Sequence, residues 1–154
     1  MDSSPWLDSN FGQPYASWCH LANRCCLCCC NAESVDHLLL CCPIAHSLWM
    51  YMLRLFGMEW VIPGSVVDLL FCWYHWLGKH SSDIWDLVLG CLMWTIWTEW
   101  NCRSFEDEEK MVVQLLEHCQ RTLFDWSRCW GYSDCSTLLD FLSSISIEIG
   151  RAHV

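Results

Sequence analysis

From Pro43 onward, apolar side chains recur at steps of three and four residues, the period of amphipathic helices. Ile44, Leu48, Tyr51, Met52 and Leu55 share one face of a first helix. Pro43 suits its opening turn, where a missing N–H leaves no helical bond unmade, and Gly57 stands just past its end. Pro63-Gly64 marks the next start. Val66, Val67, Leu70, Phe71, Trp73, Tyr74 and Leu77 then make a helix apolar on most sides, stopped by Gly78. Ser82 or Ser81 caps a longer helix through about Cys102, striped by Trp85, Leu89, Leu92, Ile96 and Trp100. Asp107 is the predicted cap of the longest helix, about Glu108 to Trp130. Its face carries Met111, Leu115, Leu116, Cys119, Leu123, Trp126 and Trp130. Glu108 and Glu109 in its first turn, and Arg121 and Arg128 toward its end, complement the helix dipole, and Gly131 ends it. Ser133 or Ser136 caps a last helix through roughly Ser144. Ile145, Ile147 and Ile149 alternate, as a short strand would. No segment after residue 60 alternates over enough length to build a sheet. The expected fold class is therefore mainly α, a small Cys2HisCys zinc knuckle followed by a multi-helix domain.

Before Pro43 the helical period fails. Residues 1–18 carry Pro5, Gly12, Pro14 and small polar residues, and read as a loose leader. Residues 19–42 hold eight of the 14 cysteines in a segment too irregular to fold by apolar burial. Within it a short helix is expected from Glu33 to Cys41, begun by Ser34 or Glu33, with Leu38 to Leu40 on its apolar side. The expected organisation is a leader at 1–18, a zinc knuckle with its following helix at 19–57, a helical region at 58–149 and a frayed tail at 150–154.

Composition sharpens this picture. Apolar residues make up 54% of the 154, enough for a sizeable core, but the 12 Trp exceed what so short a chain can bury completely. Some should face a partner. The net charge of −10 repels phosphate, which argues against strong, non-specific nucleic-acid binding. Met1 to Trp18 has no basic start and no apolar run, so it does not read as a signal peptide. The most apolar stretch, Leu87 to Thr98, has only 12 residues between Asp86 and Glu99, which suits a buried helix better than a membrane span. An intracellular, reducing location in nucleus or cytoplasm is expected, where clustered cysteines more often mean metal than disulfides.

The cluster has ligand spacing. Cys25-Cys-Leu-Cys28 is followed by eight residues, His37, four residues and Cys42. Structural zinc takes four tetrahedral thiolate and imidazole ligands. A Cys-x2-Cys turn brings two sulfurs to one ion, a helix carries His37, and Cys42 closes the set where that helix ends. With four protein ligands no position is left for water, so the expected site is structural. The register has alternatives: Cys26 and Cys29 form a second Cys-x2-Cys pair, Cys41 can replace Cys42, and Cys30 is a further spare. Cys25 and Cys28 are preferred because Leu27 then sits inside the turn and packs inward.

Arg24-Cys-Cys-Leu-Cys28, Glu33-Ser-Val-Asp-His37-Leu-Leu-Leu, Cys42-Pro43 and Ala45 to Trp49 together resemble the zinc-binding domain that follows the reverse transcriptase of plant non-LTR retrotransposons. Downstream, Trp94, Ile96, Trp97, Glu99, Asn101, Arg103 and Phe105 resemble the family's Trp-x-Ile-Trp-x-Glu-x-Asn-x-Arg-x-Phe helix, and Phe124 to Ser127 its helical tail. The resemblance spans about residues 19–149. It implies Zn²⁺ at Cys25, Cys28, His37 and Cys42, with Trp49 packing the knuckle onto the following helix. It also implies a C-terminal piece of a retroelement reading frame, without its polymerase.

Enzymatic chemistry is not expected. Glu106 to Glu109 is the chain's one acidic run, and a solvated helix start explains it. His75, His80 and His118 stand without an obvious acid or nucleophile partner, and no catalytic residue is assigned. Cys72, Cys91, Cys102, Cys119, Cys129 and Cys135 are spread along helices, as small buried hydrophobes are. The resemblance implies accessory binding of RNA or single-stranded DNA by aromatic stacking, weakened here by the acidic charge. The alternative is a structural or protein-interaction module, self-associating or docking on a polymerase through Trp73, Trp76, Trp94, Trp97 and Trp100. A retroelement relic without a selected function is the further alternative.

Overall fold

The computed structural model describes residues 23–74 and 83–152. Among the described residues a short knuckle leads into five α-helices: α1 Pro43–Leu55, α2 Val66–Cys72, α3 Asp83–Asn101, α4 Val112–Cys129 and α5 Leu138–Ala152. Among the described residues there is no β-strand, only an isolated antiparallel bridge between Arg24 and Ala32. The mainly α class follows, with the Cys/His cluster ahead of the helices. The leader, Cys19 and His20, and the segment from His75 to Ser82 with its stop at Gly78 and its serine caps lie outside the described residues.

The central packing is α3 against α4, with α1 laid across both and α5 against α4. Pro43 occupies the first turn of α1, and Gly57, at φ 65°, follows its end. Ala45, Leu48, Trp49, Met52 and Leu53 are buried, so the inward face is broader than the predicted stripe, and Tyr51 lies at its edge. Ser65 caps α2, its hydroxyl accepting the Asp68 N–H at 3.2 Å. On α3 the buried face runs through Ile84, Trp85, Val88, Cys91, Leu92, Thr95, Ile96 and Glu99. Leu89 and Trp100, placed on the predicted stripe, are only partly buried. Trp85 stacks on Trp73 at 4.6 Å between ring centroids and meets Phe56 edge-on at 5.0 Å. The predicted α4 face is right in its centre, where Leu115, Cys119 and Leu123 are buried, whereas Met111 and Trp130 at its ends are exposed.

Three boundaries differ from expectation. Asp107 does not cap α4: it sits in the left-handed region at φ 52° and closes a π-helical segment, Cys102–Glu106, that follows α3. The helix begins at Val112 after Met111, so Glu108 and Glu109 precede it instead of lying in its first turn. The reason is tertiary. The Lys110 N–H donates to Glu99 and the Lys110 carbonyl accepts from Arg103, which holds that link extended across the end of α3. Second, Thr137, not Ser133 or Ser136, caps α5, accepting the Asp140 N–H at 3.2 Å. Third, α5 runs to Ala152, so the isoleucine alternation is helical. Phe141 and Ile145, one turn apart, are buried, while Ile147 points outward. Gly131, at φ 73°, ends α4 where expected.

Candidate metal centre

The knuckle is built by a clasp of backbone bonds. The Cys25 N–H donates to the Asn31 carbonyl at 2.8 Å and the Glu33 N–H to the Asn23 carbonyl at 2.9 Å. Inside this clasp the Cys29 N–H donates to the Cys25 carbonyl at 2.7 Å, which closes the Cys25–Cys28 turn. Asn23 and Cys29 adopt φ values of 76° and 55°, and these two left-handed residues let the chain reverse twice in a short span. Leu27 is buried within the turn, where its apolar side chain was expected.

The third ligand is set by a capped turn. Ser34 accepts the His37 N–H on its hydroxyl at 3.1 Å, and its carbonyl accepts the Leu38 N–H. His37–Cys41 then forms a π-helical turn, closed by the Cys42 N–H donating to the His37 carbonyl at 2.6 Å. The wide turn buries Leu38 and Leu40 and leaves Cys42 at the N-cap of α1. π-Turns of this kind occur often at functional sites. Trp49 locks the pieces together: its ring is fully buried and its indole N–H donates to the Leu39 carbonyl at 2.7 Å.

These elements bring Cys25, Cys28, His37 and Cys42 together, with one ligand atom from each lying within 4.8 Å of all the others. The Cys25 and Cys42 sulfurs are 3.9 Å apart, and the Cys28 sulfur is 3.3 Å from His37 Nε2. A tetrahedral ion with metal–sulfur bonds of about 2.3 Å and metal–nitrogen bonds of about 2.0 Å separates its ligand atoms by about 3.5–3.8 Å. The two distances lie just either side of that range, and all four atoms stay within 4.8 Å of one another, close enough to surround one ion. Cys25 and Cys42 are buried, Cys28 and His37 half-buried.

The electrostatics point the same way. Cys42 beside it holds the Cys25 thiol down at about 5, with help from the backbone amides of Cys28 and Leu27. Cys42 is driven in the opposite direction by Cys25, then by burial, although the amides of Ile44 and Ala45 oppose the rise. Two buried sulfurs this close cannot both carry full charge without a cation between them. A bound metal supplies that charge, and the amides favour the thiolate form it needs. The four residues can therefore hold a metal ion.

The alternative ligands are placed elsewhere. The Cys26 sulfur turns to the end of α3, 3.5 Å from Ser104 Oγ and 3.9 Å from the Trp100 carbonyl, and burial pushes its thiol up. Cys29 is disulfide-bonded. Cys30 is exposed, as is Cys41, whose sulfur lies 3.8 Å from the Gly64 carbonyl. The remaining histidine and cysteine assignments divide. His118 is exposed on α4. Cys91 and Cys119 are buried in the core, where burial raises both thiols, Cys119 to about 11. Cys72, Cys102 and Cys135 are half-buried and Cys129 is exposed, so packing accounts for only part of that set.

Glu99 and Arg103 have a part that the sequence reading did not assign. Glu99 is 1% exposed, yet it carries a carboxylate. Arg103 Nε donates to its Oε1 at 2.7 Å, and the Lys110 N–H reaches the same oxygen at 2.8 Å. Arg103 also donates to the Leu27 carbonyl at 2.9 Å, inside the knuckle turn. The signal in the chain was the i,i+4 Glu-Arg spacing on a helix otherwise poor in charge. No protein-family model, curated protein or solved structure matches the chain. Among the described residues no helix is long and apolar enough to cross a membrane.

Proposed function

We propose that this chain is a zinc-binding module of the reverse-transcriptase type, with one structural Zn²⁺ held by Cys25, Cys28, His37 and Cys42. The observation that carries the reading is the convergence of those four ligand atoms within 4.8 Å. Three sulfurs and one imidazole nitrogen in a tetrahedral set suit Zn²⁺ among the common biological ions. A four-ligand shell is closed, so the ion's role is to hold the knuckle on α1 and α3, not to activate a substrate. Metal content settles the matter experimentally. One zinc per folded chain, lost to a chelator together with the ordered knuckle, is expected. A folded chain that retains no metal contradicts the reading.

The retroelement frame rests on the motifs set out from the sequence. Within that frame a protein-docking role is better supported than nucleic-acid binding. Trp94 and Trp97 are about half exposed on α3. They border an open apolar concavity of about 340 Å³ with Leu39, Gly90, Met93 and Trp126. A net charge of −10 repels a phosphate backbone, and aromatic stacking alone does not supply the electrostatic attraction that single-strand binding uses. A filter-binding titration with single-stranded RNA separates the two roles. Salt-dependent binding by the zinc-loaded chain, absent after metal stripping, would favour nucleic acid instead.

A further inference from the structure

We propose that Arg103, held in place by Glu99, is the residue that positions the Cys25–Cys28 turn for metal binding; this rests on the zinc reading above. Arg103 lies 76 residues from Leu27 in the chain yet donates to its carbonyl at 2.9 Å. Its other nitrogens are engaged too: Nε on Glu99 and one terminal nitrogen on the Lys110 carbonyl at 3.0 Å, while the nitrogen that reaches Leu27 also lies 3.2 Å from a Glu109 oxygen. The guanidinium is thus fixed from several sides at the end of α3, with 8% of its side chain exposed.

The carbonyl it grips belongs to a particular peptide. The Leu27 C=O and the Cys28 N–H are one planar unit, so a grip on that carbonyl fixes the peptide that leads directly into Cys28. Arg103 therefore holds the carbonyl edge of a plate that ends on the Cys28 α-carbon. Tilting the plate would break the bond to Arg103 and swing Cys28 away from His37, whose Nε2 lies 3.3 Å from the Cys28 sulfur. A second pin acts on the neighbouring residue. Glu33 accepts the Trp100 indole N–H at 3.0 Å and the Cys26 N–H at 3.4 Å on one carboxylate oxygen. The turn is gripped at two successive residues, Leu27 by Arg103 just past α3 and Cys26 by Glu33, which also accepts from Trp100 of α3. Lysine cannot replace the grip, because its single ammonium lacks the planar fork that reaches Glu99, Leu27 and Lys110 together.

Outer contacts of this kind change metal affinity without touching the ion. The test is a Co²⁺ titration of the full chain, reading the tetrahedral absorption bands and measuring affinity by competition with a chelator. Arg103→Ala is expected to weaken Co²⁺ binding by about 10–100-fold. Arg103→Lys, which keeps a charge beside Glu99 and guards against a variant that does not fold, is expected to fall between wild type and Arg103→Ala with the tetrahedral spectrum retained. Leu123→Ala, a core truncation on α4, is expected to lower the melting temperature while leaving Co²⁺ affinity at the wild-type value. Wild-type affinity in either Arg103 variant overturns the proposal, as does an equal loss in Leu123→Ala. No tetrahedral spectrum in the unaltered chain is a distinct failure: it removes the zinc reading and this inference with it.

Discussion

The knuckle and the α3–α4 pair hold together by different means. In the knuckle and its π-turn the buried residues are Cys25, Leu27, Leu38, Leu40 and Cys42, and two of these five are candidate ligands. On α3 and α4 the buried residues are mostly apolar side chains in two long facing rows. One region is organised by donors converging on a point, the other by area withdrawn from water. A segment as small as the knuckle cannot bury enough apolar surface to stand alone, whereas α3 and α4 share their core with α1 and α5. The Glu99–Arg103 pair joins the two regimes, because it is buried in the helical core but ends on the knuckle turn.

The sharpest way to break this comparison is to remove the metal. Structural zinc sites contribute about 10–16 kcal/mol of apparent binding energy, far more than a local packing contact. Chelation should therefore abolish amide protection across residues 23–42 while α3 and α4 keep most of theirs. Hydrogen exchange read by mass spectrometry reports both regions in one experiment. Uniform loss across the whole chain would show that the two regions are one cooperative unit. Next in size is the joint between them. Glu99→Ala removes the buried carboxylate that accepts from Arg103 and the Lys110 N–H, leaving the exposed Glu109 as the acidic partner of Arg103; breaking a buried pair costs about 3–5 kcal/mol. Denaturant unfolding should show a loss of that order.

Truncating the core instead of the joint should act on one side alone. Leu92→Ala, at a fully buried position, is expected to lower stability by about 2–5 kcal/mol with metal stoichiometry unchanged. The smallest effect is expected at the α2 cap. Ser65→Ala removes the bond to the Asp68 amide and should lower the unfolding free energy by about 1 kcal/mol, again without altering metal content.

Much of this arrangement was legible in the chain because it depends on local chemistry. Pro43, Gly57 and Gly131 mark helix ends through their own backbone preferences, and neighbours need not be known. The ligand set was legible for a related reason. A Cys-x2-Cys turn and a histidine one short helix before a cysteine can reach one ion only in a few ways, and Leu27 favoured one of them. What was not legible depends on distant partners. Asp107 has the composition of a cap, but Glu99 and Arg103 hold the link around Lys110 and move the start of α4 to Val112. The isoleucine alternation looked like a strand because its period was read over three residues, while Phe141 and Ile145 carry the helical burial. The grip on Leu27 spans 76 residues, beyond any local pattern.

The central claim is that Cys25, Cys28, His37 and Cys42, and not their neighbours, hold one ion. Native mass spectrometry of zinc-loaded variants tests it most directly. Cys28→Ser should lose the ion, while Cys30→Ser and Cys41→Ser should each retain one zinc per chain. Equal loss in all three variants, or retention in Cys28→Ser, would contradict the account.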